Sequence, residues 1–496
     1  FAILKPSPDA PPFGGQVVAV LPFENLGHTD DEYFAAGMTD EITSRLTQLE
    51  GLAVISRTSA SIYAGTDKSI REIGKELGTD YILEGTIRWD GDTDRIRISP
   101  RLIRVSNDTQ VWSDSYDREV TGIFALQTEI ASRIAEALDV NIQGEGRKAL
   151  DARPTENIEA YRAYLQGMKQ LYSPGFGRET FQLGIQMFER ATQLDEDFAL
   201  AFARLSSMNS RMYHYGFDRT EQRLGRAKDA ADRALALQPG LAEAHLALGH
   251  YYYWGIRDYD LALAALEEAH ALAPSKGEIL LANAYVKRRQ GDFEAALALL
   301  ERYRVLSPVD PNAFVGLGET YGTLRRYDEA EQAFEKAVSL QPDDAYPYTE
   351  LGLVYLRWRG DADEARAILA RAPHVENTEP CRVGYQAELL DRDFEGALAK
   401  LDECSGSVLE AGTFYEPVDL VRGIVLQVSG NPELAREAFT TALDHLEAKL
   451  QNSPDDHRIH AALGLAYAGL DRSEEAVRHG TRAVELYPLA KDALGA

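Results

Sequence analysis

Small and aromatic residues recur at a fixed spacing over the last two thirds of the chain. Pro274, Pro308 and Pro342 stand 34 residues apart, and each closes a segment with the same order of small and large side chains. Apolar positions follow helical spacing in two successive stretches of each segment, which predicts a pair of antiparallel helices. Such a pair cannot bury its apolar face alone, so neighbouring pairs are expected to stack.

The clearest copy of this pattern runs from Pro311 to Pro342. Its small residues fall where two helices would cross closely, and its aromatic residues would fill the space between neighbouring pairs. The pattern resembles the tetratricopeptide repeat, which implies an all-α superhelical solenoid with an inner groove. Counting weaker copies, the sequence predicts roughly eight to nine helical hairpins over residues 157–496. The residues that carry the resemblance in this copy are Phe314, Leu317, Gly318, Tyr321, Tyr327, Ala330, Phe334 and Ala337.

The first part of the chain has a different pattern, in which short apolar runs alternate with helical stretches. Residues Val17–Leu21 and Leu52–Ile55 predict two strands buried on both faces. Helical spacing separates these runs, and three successive strands and a long helix follow from Tyr81 onwards. The order β-α-β-α-β-β-β-α predicts an α+β domain with a mixed sheet over residues 16–143.

Two linkers are predicted, at residues 1–15 and 144–156. The first is rich in proline, which is typical both of a stiff spacer beside a membrane anchor and of a disordered N-terminus. The second contains Gly144 and Gly146 and separates the two periodic patterns.

Five motifs of the N-terminal domain resemble successive motifs of the TolB-like N-terminal domain. In bacterial one-chain membrane receptors such domains precede tetratricopeptide repeats. The output there is an adenylate or guanylate cyclase, a Ser/Thr kinase or a CadC-like winged helix across the membrane. The resemblance therefore implies a periplasmic sensory or scaffolding half, anchored to the inner membrane through a segment upstream of Phe1. The motifs are Val18–Leu26, Asp31–Ile42, Ser56–Ser59, Ile73–Gly78 and Tyr81–Gly85.

Two other functional interpretations stay open at this point. One is an envelope assembly or accessory factor without signalling output, because TolB-like domains also resemble parts of outer-membrane accessory proteins. The other is an enzyme whose cyclase or kinase domain lies upstream of Phe1, outside this chain. The residues upstream of Phe1 would distinguish these interpretations.

Composition narrows the classes of molecule that the protein is expected to bind. The net charge of −27 and the pI of about 4.8 argue against a nucleic-acid partner, because binding to a phosphate backbone requires clustered Lys and Arg. No apolar run approaches the roughly 18 residues that cross a bilayer. We therefore expect a protein or peptide partner, no nucleic acid, and membrane contact only through a segment upstream of Phe1.

No motif in the chain predicts catalysis, a cofactor or a metal. The sequence contains no HExxH pair, no zinc-type Cys/His spacing and no phosphate-binding loop. Residues 90–94 begin like a calcium loop, but Arg95 and Arg101 stand where Gly and Glu are required, so a hairpin turn is favoured. Ser56 and Ser59 are interpreted as helix-capping or loop residues rather than nucleophiles.

The inner groove of the hairpins is the predicted binding site. Aromatic side chains beside arginines suit an extended peptide that carries carboxylates, because Arg offers paired donors to them. One alternative is that an extra residue near Tyr252 shifts the helical phase and places the aromatic residues in the core. A second alternative is that the arginines form intrachain ion pairs. The predicted groove residues are Leu246, His250, Tyr253, Trp254, Leu281, Tyr285, Arg288, Arg289, Glu319, Tyr346, Leu353 and Arg357.

The two cysteines, Cys381 and Cys404, fall near opposite ends of a weak hairpin. Antiparallel helices bring these two levels together, which predicts a disulfide that stabilises the hairpin by about 3 kcal/mol. The alternative is that both are small buried apolar residues.

Overall fold

The protein is described by a computed structural model. It covers residues 15–28, 32–49, 51–90, 95–119, 122–140, 153–171, 177–373, 379–404, 406–410, 414–488 and 492–493. The predicted linkers, apart from Gly15 and residues 153–156, lie outside the described residues, as does the predicted turn at residues 91–94.

The contacts of the chain divide it into two compact units. The first unit comprises the residues up to Val286 together with Ala298–Asp310. The second unit comprises Lys287–Leu297 and the residues from Pro311 onwards. The N-terminal domain and the first helical hairpins thus belong to one unit.

The described residues of the N-terminal domain form a mixed seven-stranded sheet, which confirms the predicted α+β class. β1 pairs in parallel with β3 and β4, while β4, β5 and β6 form an antiparallel series. β2 extends the parallel pairing along β4, and β7 pairs antiparallel with β5. The strands are β1 (Gln16–Val20), β2 (Glu24–Asn25), β3 (Leu52–Val54), β4 (Tyr81–Asp90), β5 (Arg95–Arg104), β6 (Thr109–Ser113) and β7 (Tyr116–Glu119).

Four helices accompany this sheet in the described part of the domain, and local sequence explains several of their ends. Ser69 and Glu72 form a capping box at the start of α3, and Gly78 ends the helix with a φ of 63°, which favours glycine. Ser56 caps α2, as predicted, by accepting a hydrogen bond from the backbone N–H of Ser59. The helices are α1 (Glu32–Leu46), α2 (Arg57–Ser61), α3 (Ile70–Leu77) and α4 (Ile123–Ala137).

Three short elements were absent from the predicted order: β2, α2 and β7. They contain two, five and four residues, too few to show a period of hydrophobic positions. Pairing within the sheet and side-chain capping, rather than patterning, determine these elements.

The rest of the described chain forms nine helical hairpins. A short two-stranded sheet, β8 (Val408–Glu410) and β9 (Tyr415–Pro417), precedes the eighth hairpin. The hairpin helices are α5 (Ile158–Leu171), α6 (Arg178–Leu194), α7 (Ala199–His214), α8 (Glu221–Leu237), α9 (Ala242–His250), α10 (Tyr259–Leu272), α11 (Gly277–Arg289), α12 (Phe293–Leu306), α13 (Pro311–Thr323), α14 (Tyr327–Leu340), α15 (Ala345–Trp358), α16 (Ala362–Arg371), α17 (Glu379–Leu390), α18 (Phe394–Asp402), α19 (Val418–Val428), α20 (Pro432–Asn452), α21 (His457–Gly469) and α22 (Ser473–Leu486).

The first hairpin shares its hydrophobic core with the N-terminal domain. Tyr161 of α5 is fully buried, its ring lies 4.8 Å from that of Phe124 of α4, and its hydroxyl accepts a hydrogen bond of 3.0 Å from Gln127. A Cβ on Gly37 of α1 would lie 2.3 Å from Leu165, so only glycine permits this approach of α1 to α5. The N-terminal domain therefore packs directly onto the helical repeats.

Candidate protein-binding groove

Two of the predicted groove residues lie in the core of the first unit. Leu246 is 1% exposed, and Tyr253 is 8% exposed with its ring 5.9 Å from that of Tyr259. Residues Tyr251–Ile256 form a π-helix, a conformation that absorbs one extra residue and shifts the helical phase. The alternative interpretation of an insertion near Tyr252 describes Tyr253, whereas Leu246 lies in the helix before the π-helix. Neither side chain is available to a partner in this structure.

His250 and Trp254 form a stacked pair beside these core residues. Their ring centroids are 4.1 Å apart, and the guanidinium of Arg211 lies 5.6 Å from the Trp254 ring. Burial, reinforced by the positive charge of Arg211, lowers the pKa of His250 to about 3. The imidazole is consequently neutral at physiological pH and packs as an aromatic residue.

Three further apolar groove residues are also withdrawn from solvent. Leu281 and Tyr285 are half-buried, and Tyr285 packs against the core around Tyr253. Leu353 is 5% exposed in a separate core of the second unit. Any solvent-exposed surface of the predicted groove in the second unit must therefore come from its polar residues.

In the second unit, Arg288, Glu319 and Tyr346 form a connected polar group. Arg288 is 7% exposed and donates to Glu319 Oε2, while the hydroxyl of Tyr346 donates to Glu319 Oε1. The alternative of intrachain ion pairing thus describes Arg288. Since the pair is largely buried, replacing Arg288 with Ala is expected to lower stability.

Arg289 contacts a carboxylate from the far end of the chain. Its Nη1 atom lies 3.3 Å from Oδ2 of Asp492, and its carbonyl accepts a hydrogen bond of 2.6 Å from the Ala493 backbone N–H. Asp492 is 1% exposed and also accepts a hydrogen bond from the Tyr487 hydroxyl. Sequence reasoning missed Asp492 and Tyr487, because no periodic signal links residues about two hundred positions apart.

Arg357 is exposed, and Arg289, Glu319 and Tyr346 are half-buried. These four residues, which we call the polar strip, are the members of the predicted groove in the second unit that retain access to solvent. All four belong to the second unit.

The two cysteines meet in the seventh hairpin. The structure joins Cys381 and Cys404 in a disulfide with their Cα atoms 5.7 Å apart, and both residues are half-buried beside an apolar core. The redox state in solution stays a prediction.

The first unit contains a polar cavity of about 110 Å³ that the sequence did not predict. Lys276 and Glu243 form an ion pair of 2.5 Å at its wall, with both side chains at most 10% exposed. Arg204 and Glu278 form a second pair of 3.1 Å. Burial works to raise the pKa of Glu243, but the charges of Lys276 and Arg204 outweigh burial and lower the pKa overall. Each of these four residues comes from a different turn or helix, so no spacing in the sequence predicts the cluster.

Hydrogen bonds hold the N-terminal domain to the loops around this cavity. The backbone N–H of Ser56 donates to the Leu306 carbonyl at 2.7 Å, and the Ser275 hydroxyl donates to the Leu52 carbonyl at 2.9 Å. The Val309 N–H donates to the Ser59 hydroxyl at 3.3 Å. The domain thereby covers part of the hairpin surface within the first unit.

The described residues hold no candidate membrane span and no candidate metal cluster. None of the described helices combines the length and apolar character needed to span a bilayer. Across the same ranges, no group of three or more His, Cys, Asp and Glu side chains is placed to hold a metal ion.

Family models match segments in both parts of the chain. Tetratricopeptide repeat models match residues 251–311, 281–345, 323–380 and 420–491. A family model described as the second domain of HilA/YgeH-like transcriptional regulators matches residues 14–133. The chain therefore contains tetratricopeptide repeats, a type of protein-interaction module, after a region similar to the second domain of HilA/YgeH-like regulators. The TolB resemblance stays a prediction.

Curated relatives match only in part. Putative adenylate cyclase 3 of Rhizobium meliloti is 32% identical over 221 residues, which cover 43% of this chain and 37% of that protein. Human mitochondrial import receptor subunit TOM70 is 21% identical over 131 residues, covering 26% of this chain and 21% of TOM70. The chain therefore spans well under half the length of either relative.

Solved structures with helical repeats resemble the chain at low scores. The human IFIT1 dimer with PPP-AAAA has a TM-score of 0.42 at 16% identity, over 74% of this chain and 83% of that chain. PilF of Pseudomonas aeruginosa has a TM-score of 0.34 at 18% identity, over 41% of this chain and 90% of that chain.

Proposed function

We propose that this chain is a non-catalytic sensory or scaffolding module and that the polar strip of its second unit binds a carboxylate-bearing peptide or protein segment. The contact between Arg289 and Asp492 carries this proposal. Arg289 was predicted from the repeat phase to bind a carboxylate, and in the structure its partner is a carboxylate from a distant part of the chain. Asp492 takes the place that an acidic side chain of a partner would occupy.

This arrangement makes the chain's own aspartate a competitor of the partner. A partner carboxylate must displace Asp492 before it can bind Arg289. Arg357 offers a further charged donor on the same strip. Because the net charge of −27 repels acidic molecules, binding must come from these local donors rather than from the overall field.

The proposal is tested with the full chain and fluorescently labelled extended peptides rich in Asp and Glu, compared with matched peptides rich in Asn and Gln. Fluorescence anisotropy should show binding of the acidic set alone. Arg289→Ala should weaken it by about tenfold, the loss of one charged hydrogen bond. Asp492→Asn should strengthen it several-fold by removing the competitor.

Arg371→Ala is the matched control, because Arg371 is an exposed arginine of α16 outside the polar strip. Equal losses in Arg289→Ala and Arg371→Ala would refute a local site. Equal affinities for the acidic and amide peptides would refute carboxylate recognition.

We further propose that this module is TolB-like and lies in the periplasm as part of a bacterial signalling protein anchored in the inner membrane. The similarity to putative adenylate cyclase 3 supports a signalling context, and a cyclase or kinase output would lie outside the 496 residues. Reporter fusions to the full-length protein test the location. An alkaline phosphatase fusion after residue 496 should be active, whereas activity of a cytoplasmic reporter at that position would refute the periplasmic assignment. A full-length protein without an output domain would favour the envelope assembly factor instead.

A further inference from the structure

The polar cavity of the first unit lies where the N-terminal domain meets the helical repeats. On the domain side, α1 contributes Asp40 and the segment after β3 contributes Arg57. The segment after β3 is the carboxyl end of a parallel strand, the place where sheets of this kind position ligands. The hairpin side contributes Arg204, Glu243 and Lys276. The cavity is thus lined by charges of both signs from two parts of the fold.

One buried carboxylate at this cavity is incompletely satisfied. Glu243 is 5% exposed, and its Oε1 atom accepts from Lys276, but among the described residues Oε2 has no hydrogen-bond partner. Oδ1 of Asp40, whose side chain is 14% exposed and ion-paired with Arg57 through Oδ2, likewise has none in the described chain. A buried carboxylate oxygen without a donor is costly. A bound molecule that donates hydrogen bonds to these two oxygens would therefore stabilise the site.

A donor is also available on the opposite side of the same pair. Lys276 has three N–H groups and, in the described part of the chain, donates to Glu243 and at 3.5 Å to Ser44. One N–H can therefore reach an acceptor on a bound molecule. Ser44 belongs to α1, so this cluster spans the domain and the hairpins.

Volume limits what the cavity can hold. A cavity of about 150 Å³ accommodates a ring of about six carbon atoms. A cavity of about 110 Å³ accordingly suits a molecule of about five non-hydrogen atoms, or a few water molecules.

We propose that this cavity binds a small zwitterion of the size of glycine or alanine, with its ammonium on Glu243 and Asp40 and its carboxylate on Lys276. The proposal does not depend on peptide binding by the polar strip, because the cavity lies wholly in the first unit. A bound zwitterion touches both the N-terminal domain and the hairpins, so it stabilises their packing in proportion to its occupancy.

The test uses the full chain, isothermal titration calorimetry and thermal unfolding, with glycine and L-alanine as probes. Acetate and methylammonium each supply one half of the zwitterion, and L-leucine tests the size limit. Glycine or alanine should bind with one-to-one stoichiometry and raise the melting temperature, while the two half-molecules and leucine should bind at least about tenfold more weakly. No binding of either amino acid would overturn the proposal and leave a cavity that holds water. Equal binding of acetate or methylammonium would overturn the zwitterion assignment.

A variant pair localises the site. Glu243→Gln should weaken glycine or alanine binding by about tenfold or more, because a charged hydrogen bond to the ammonium is lost. Glu267→Gln, an exposed glutamate of α10, should leave it unchanged. Circular dichroism verifies that both variants are folded, and equal affinities in folded Glu243→Gln and wild type would place the ligand elsewhere.

Discussion

Helical hairpins of the same repeat type have different roles in the two compact units. In the first unit, the hairpins share a core with the N-terminal domain, and their charged residues form buried pairs such as Lys276–Glu243. In the second unit, hairpins that fit the same repeat retain a polar strip, where Glu319 and Tyr346 are half-buried and Arg357 is exposed. The difference shows that the repeat determines the hairpin but not which surface stays free. Residues outside the repeat, here those of the N-terminal domain, determine that surface.

The largest expected effect comes from breaking the buried pair of the first unit. Lys276→Met leaves the Glu243 carboxylate without its ammonium partner, which should lower the free energy of unfolding by about 3–5 kcal/mol. Chemical denaturation monitored by circular dichroism measures the change. The control is Lys228→Met, since the side chains of the Lys228–Asp232 pair on α8 are 33% and 54% exposed and this pair should contribute less than about 0.5 kcal/mol. Similar losses in both variants would refute the claim that burial makes the Lys276–Glu243 pair important for stability.

In the second unit, the corresponding test of stability is removal of the disulfide. Preventing it with Cys404→Ser should lower the stability of that unit by about 3 kcal/mol, because the link closes a loop between Cys381 and Cys404 in the unfolded chain. Denaturation of wild type with and without reductant provides the same comparison. Thiol titration of the unreduced protein should detect no free sulfhydryl, and two titratable thiols would exclude the bond.

The pH dependence of stability tests the packing of His250 in the first unit. His250 has a folded pKa of about 3, lowered by burial, against about 6.5 in an unfolded chain. The stabilising contribution of the neutral ring is therefore complete above pH 6.5 and is lost as the pH falls towards 3.

This loss should amount to at most about 1.4 kcal/mol per pH unit below pH 6.5. His250→Phe retains an aromatic ring beside Trp254 and should remove this part of the pH dependence. Denaturation curves at pH 7.5 and 5.5 provide the comparison. A wild type and variant with identical pH slopes would show that His250 is not buried as a neutral group.

Periodicity predicted the fold well and the site unevenly. The hairpins and the mixed sheet followed from apolar spacing, because burial of a regular face leaves a regular pattern. Leu246 and Tyr253 were placed in the groove by the same spacing, but both are buried. For Tyr253 the π-helix at Tyr251–Ile256 shifts the helical phase, which the sequence offered only as an alternative.

Contacts between distant segments could not be predicted from spacing at all. Asp492 reaches Arg289, and Ser44 of the N-terminal domain lies beside the Lys276–Glu243 pair, only because the chain has folded. The cysteines were an exception, since antiparallel helices of one hairpin relate Cys381 to Cys404 by local geometry.

Hydrogen exchange of the full chain with and without a bound acidic peptide tests the division of tasks most directly. The account predicts added protection in Pro311–Thr323 and Ala345–Trp358, which carry the polar strip beyond Arg289, and no change in Ile158–Leu171 or Ala199–His214. Protection confined to the helices of the first unit would contradict it.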